Sequence, residues 1–172
     1  GNFQSFVQHY TQILFNPDYL NYMKDFKVIR FMGLSGVNND PERTWNERQQ
    51  VPHATWGGNK GNRGAPIEIQ IELANRLNAH PWFTIPHAAD DNYIRQFAQL
   101  ARQRLRPNLR PHIEYSNETW NFIFLQGNYV RDMGMARRLD TNKNRAGYRY
   151  YSERSVEIFR IWPRRMPICL RI

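Results

Sequence analysis

The chain has 172 residues, 41% of them hydrophobic and 14% aromatic, which suits one domain with a packed core and is too short for two large ones. A mean hydropathy of -0.75 and the lack of any long apolar run exclude a membrane-spanning helix. The formal net charge of +9 would suit a polyanion, but the basic residues, mostly arginine, are dispersed with no run of five, so nucleic acid is not an expected partner.

The opening residues, GNFQSFVQHYTQILF, carry neither an initiator Met nor a basic-then-apolar leader and read as the interior of a longer protein. Residues 17–26 (PDYLNYMKDF) are helix-like. Residues 27–32 (KVIRFM) are β-branched and aromatic, a strand signal that stops at Gly33. The loop from 33 to 65 holds five further glycines and two tryptophans, a length that marks functional or disordered segments. Its Gly57-Gly58-Asn59-Lys60-Gly61 run lacks the spacing and the Lys-Ser/Thr of a phosphate-binding loop. Residues 66–78 predict a helix opened by Pro66, with Glu68 and Glu72 suited to its positive end. A second strand is expected over 82–86. A helix over 91–105 follows, N-capped by Asp91, with apolar residues at 94, 97, 98, 101 and 105 on one face. A third strand is expected over 112–116. A helix over 122–139 is weakened by Gly127 and Gly134. The helical run 149–162 ends at Pro163, and the tail PRRMPICLRI has no period. The expected organisation is one domain over 1–162 and an irregular tail over 163–172.

Alternating strands and helices predict parallel strands joined by crossovers, with functional residues gathered at the strands' carboxyl ends. Three chemistry-bearing residues fall there: Arg30, His87 and Glu118. Glu118 sits in HIEYSNETWN (112–121) and has three readings. It is a proton donor in a cleft, with the Asn117 amide holding a substrate hydroxyl and Tyr115 and Trp120 lining the walls. It is a carboxylate favouring the start of the next helix, with Asn117 as cap. Or it belongs to the glycosylation triplet Asn117-Glu118-Thr119. Glu114 lies on the same strand face but roughly 13 Å from Glu118, too far for a retaining pair, and is expected to partner an arginine. Arg30, set in an apolar strand, needs a carboxylate or a ligand. His87 is placed to contact a hydroxyl or to tune a carboxylate. No metal-ligand spacing, serine elbow or dinucleotide fingerprint is present, so no metal and no cofactor are expected.

The stretches FKVIRFM (26–32), WNER (45–48), PIEIQIELANRLN (66–78), HPWFTIPHAADDNYIRQFAQL (80–100) and IEYSNETWN (113–121) resemble the large clan of (β/α)8 glycoside hydrolases, and within it the cellulase-like bacterial proteins. The resemblance spans residues 15–162. It implies an α/β fold that is a partial TIM barrel, with strands two to four of eight present. It implies that Arg30, His87, Asn117 and Glu118 occupy the clan's catalytic places, with Glu118 as general acid/base and Asn117 on the sugar 2-hydroxyl. Trp45, Trp56 and Trp120, with Tyr115, become candidate sugar-stacking residues. The clan's nucleophile, a Glu on the seventh strand, has no counterpart here; Glu153 and Glu157 fall on a helix. The resemblance therefore implies a fragment of a retaining O-glycoside hydrolase, inactive by itself, acting on a polysaccharide or oligosaccharide and secreted or periplasmic. The alternative is a carbohydrate-binding relative without catalysis.

Overall fold

The computed structural model describes residues 13–53, 56, 64–162 and 169–170. In chain order they form α1 (Pro17–Met23), β1 (Val28–Arg30), α2 (Met32–Ser35), a 3-10 turn (Trp45–Glu47), α3 (Ile67–Leu77), β2 (His80–Ile85), α4 (Asp91–Arg104), β3 (His112–Tyr115), α5 (Leu125–Ala136), α6 (Lys143–Ile161) and β4 (Cys169–Leu170). The strands pair in sequence order, all parallel.

The expected partial TIM barrel is not what forms. The described residues build a small α/β domain on an open parallel sheet of three strands, extended by the two-residue β4. A barrel needs its first and last strands to pair and close. Here the Lys27 carbonyl and the Phe31 N–H both bond to β2, so the peptide groups of Val28 and Arg30, between them, face the sheet's outer edge. The tail is also corrected in part. Cys169–Leu170 lies parallel to β3, whereas the rest of 163–172 lies outside the described residues.

The period of two along the strands sorts the sheet into unlike faces. Ile29, Phe31, Phe83, Ile85, Ile113 and Tyr115 are buried on the face that carries the helices. α4 brings Tyr93, Ile94, Phe97, Ala98 and Ala101 to the core, matching the sequence spacing. The Phe97 ring meets Phe83 at 5.1 Å and Trp162 at 5.7 Å, edge to face. The other face carries Arg30, His80, Trp82, Thr84, His112 and Glu114.

Helix ends shift from expectation for local reasons. Asp90, not Asp91, caps α4, accepting from the Tyr93 N–H at 2.6 Å. Asp91 is thereby free to bind Arg154 of α6 at 2.7 Å. Of the two glycines that weaken α5 on propensity, Gly134 lets it approach α6, because a Cβ there would collide with the Ala146 carbonyl, whereas Gly127 makes room for the backbone of Asn121 in the preceding turn. The described part of the long loop is tied down by a buried polar cluster. Glu42 accepts from the Tyr93 hydroxyl at 2.8 Å and from the Gln49 N–H at 2.8 Å, while Asp40 accepts from the Glu42 N–H at 2.9 Å.

Candidate functional site

β1 ends at Arg30 and β3 ends at Tyr115, so the turn after β3 lies across the sheet from the Arg30 side chain. Arg30 spans the gap. Its Nε and Nη2 donate to the two Glu114 oxygens at 2.8–3.0 Å, a forked ion pair. Nη2 also donates to Asn117 Oδ1 at 2.9 Å. The expected partnership of Glu114 with an arginine is thus Glu114 with Arg30. The guanidinium lies over the Trp82 ring, 5.1 Å from its centre.

Asn117 extends the network. Its Nδ2 donates to Asn38 Oδ1 at 3.0 Å, and Gln126 of α5 donates to the same oxygen at 2.8 Å. Gln126 Nε2 reaches the Asn117 carbonyl as well, at 2.9 Å. The long loop, the β3–α5 turn and the start of α5 are joined by these amides. Ser116 (φ 57°) and Glu118 (φ 43°), on either side of Asn117, both hold left-handed backbone. For residues with a Cβ each such conformation costs about 1 kcal/mol or more, and it persists where surrounding bonds over-determine it.

Glu118 is half-buried, and its Oε2 accepts from Asn121 Nδ2 at 3.0 Å. The helix-start reading of Asn117-Glu118 does not hold. α5 begins at Leu125, and its first N–H is bound by the side chain of Asn39 at 2.7 Å. The glycosylation reading fails too, because the Asn117 amide is buried and bonded at both ends.

The remaining candidates separate. Trp120 is 60% exposed, two residues beyond Glu118, followed by exposed Phe122, Ile123 and Leu125. Tyr115, proposed as a cleft wall, is 1% exposed; it faces the helices, stacks on Tyr151 at 5.6 Å, and donates its hydroxyl to the His87 carbonyl at 2.8 Å. Burial raises its pKa well above the ordinary phenol value, so it stays a donor. His87 lies in this interior, not beside Arg30. Its ring meets Tyr129 edge-on at 5.0 Å, and burial, helped by the positive charge of Arg43, lowers its pKa to about 4. Trp45 packs against Tyr93 and under Arg48, at 5.5 and 3.9 Å, and serves the loop rather than the strand ends. Trp56 donates its indole N–H to the Val51 carbonyl at 3.4 Å and, with Leu34, Ile69 and Leu73, lines a groove of about 420 Å³ that Arg30 also borders and Glu118 does not.

Arg30 is paired with Glu114 and also holds the Asn117 side chain. Asn117 uses one donor of its amide on Asn38 and accepts from Arg30, which fixes the orientation of the side chain next to Glu118. The sequence reading missed Trp82, Asn38 and Gln126. Trp82 was legible as the position that shares a face with Thr84 and opposes Arg30; the two amides carried no local signal.

No group of three or more histidine, cysteine or acidic side chains suited to a metal is present among the described residues. No described helix is long and apolar enough to cross a membrane. Compared with known proteins, the chain matches no family model, no curated protein and no solved structure.

Proposed function

We propose that the carboxyl end of this sheet is one half of a retaining O-glycoside hydrolase site for a polysaccharide or oligosaccharide, with Glu118 as general acid/base. The observation that carries this reading is the braced turn after β3. Arg30, Asn117 and Asn38 hold a strained backbone at a half-buried carboxylate, Glu118, and an exposed indole, Trp120, follows two residues later in the same turn. A carboxylic acid next to a flat apolar surface suits sugars, which stack their C–H faces on aromatic rings and offer oxygens to the acid. In this chemistry Glu118 protonates the glycosidic oxygen as a second carboxylate attacks the anomeric carbon, and then removes a proton from the water that releases the sugar. The two carboxyls must stand about 5–5.5 Å apart. Glu114 is excluded from the second role because both its oxygens are held by Arg30. A partner carboxylate other than Glu114 is therefore required.

That same ion pair favours a second reading for the chain taken alone: it binds oligosaccharide without cleaving it. Titration calorimetry with cello-, manno- and xylo-oligosaccharides tests both. Binding is expected with one series, with no reducing sugar released. Trp120→Ala abolishes the binding, and Glu118→Gln retains it within a few fold. No binding by the intact chain to any of the three series overturns the carbohydrate reading.

A further inference from the structure

We infer that Gln126 is a positioning residue for Glu118, an inference that rests on the acid role proposed for that carboxylate. Gln126 is the second residue of α5 and is completely buried. A buried primary amide is retained only where its hydrogen bonds are made. All three groups that it bonds belong to the site. Its Oε1 accepts from the Asn39 N–H at 3.0 Å, and its Nε2 donates to Asn38 Oδ1 at 2.8 Å and to the Asn117 carbonyl at 2.9 Å. The last bond matters most. The Asn117 carbonyl belongs to the peptide unit that ends in the Glu118 nitrogen, so fixing its direction fixes one side of the Glu118 φ rotation. Glu118 holds φ 43°, a region that side-chain-bearing residues leave readily. Asn39, which receives the other end of the Gln126 amide, is itself left-handed at φ 58° and caps α5. One side chain thus pins two left-handed residues from opposite sides of the site, and it couples the direction of the Glu118 carboxylate to the seating of the long loop.

Two substitutions at Gln126 separate the donor from the acceptor. Gln126→Met keeps the length and loses all three bonds. Gln126→Glu keeps the acceptor for Asn39 and, when ionised, cannot donate to Asn38 or the Asn117 carbonyl. With the fold verified by circular dichroism, NMR of the Glu118 amide and side-chain carboxyl is expected to show shifted resonances in both variants at neutral pH, while Ile94 and Ile113 in the core stay unchanged. In Gln126→Glu the Glu118 resonances return toward those of the parent as pH is lowered and the new carboxyl regains a proton to donate. Oligosaccharide affinity falls about tenfold in Gln126→Met, the scale of one lost buried hydrogen bond. If Gln126→Met does not fold, Gln126→Glu alone decides by its pH-dependent return. Unchanged Glu118 resonances in a folded variant, or a Gln126→Glu spectrum that does not move back toward the parent as pH falls, overturn the inference. Absence of sugar binding in the parent chain defeats the proposed function and leaves this reading to be judged by the resonances.

Discussion

Trp82 and Phe83 are neighbours on β2 and point to opposite faces of the sheet. Phe83 is fully buried between Phe31, 5.8 Å away, and Phe97, at 5.1 Å. Trp82 is partly exposed, with Arg30 over its ring and the His112 ring 6.2 Å away. One face is held by removing apolar surface from water; the other is held by charge-assisted hydrogen bonds between half-exposed groups. Parallel sheets are ordinarily covered on both faces, so a polar, partly exposed face is the place to look for function in this domain.

The first test is to truncate each neighbour. Phe83→Ala is expected to destabilise the domain by about 3–5 kcal/mol, through lost burial and an unfilled cavity. Trp82→Ala is expected to cost less, about 1–2 kcal/mol, as that side chain is only partly buried. Urea unfolding of both variants measures the contrast, and equal losses would dissolve the distinction between the faces.

The second test uses pH. His87 belongs to the helix-covered side, and its pKa falls from 6.5 to about 4 on folding. The unfolded chain therefore binds the proton first. The His87 contribution is whole above pH 6.5 and is lost as pH drops through the window down to about 4. The full loss is about 3 kcal/mol. His87→Phe, which cannot titrate, is expected to flatten the stability profile in that window, as read from unfolding midpoints across pH.

The third test breaks the open face. Arg30→Ala strands Glu114 and loosens Asn117. With Arg30 33% and Glu114 18% exposed, solvent screens part of the loss, leaving about 1–2 kcal/mol. Arg30→Lys recovers only part of it, since an ammonium cannot make the forked pair. A double-mutant cycle with Glu114→Gln isolates the coupling. The smallest effect is at Trp120. Its replacement by Ala is expected to change stability by no more than about 0.5 kcal/mol, because the ring is mostly in water, yet to remove oligosaccharide binding. A large stability loss there would assign Trp120 to the core.

Much of the local structure was legible. The apolar spacing at 94, 97, 98 and 101 located the buried face of α4, and the β-branched and aromatic runs located three strands. The order of helices and strands announced parallel pairing. Element ends were less legible, because Asp90 and Asp91 are equally good caps by type and only their contacts, Asp90 with the Tyr93 N–H and Asp91 with Arg154, distinguish them. Of the site, the strand-end rule brought Arg30 near Asn117 and Glu118. It failed for His87 and Tyr115, because a strand end does not say whether a side chain faces the helices or the open side.

The sequence by itself determined which segments are helix and strand, since propensity and period act over a few residues. It determined too that one acidic residue would stand in the turn after β3. The tertiary structure alone decided that the sheet of the described residues stays open, that Glu114 is held by Arg30, and that Gln126 ties the turn to the long loop. The last two depend on pairings between residues 84 to 88 positions apart in the chain, which no local pattern records. Long-range hydrogen bonds fix which groups meet, and with them which carboxylate is left available for chemistry.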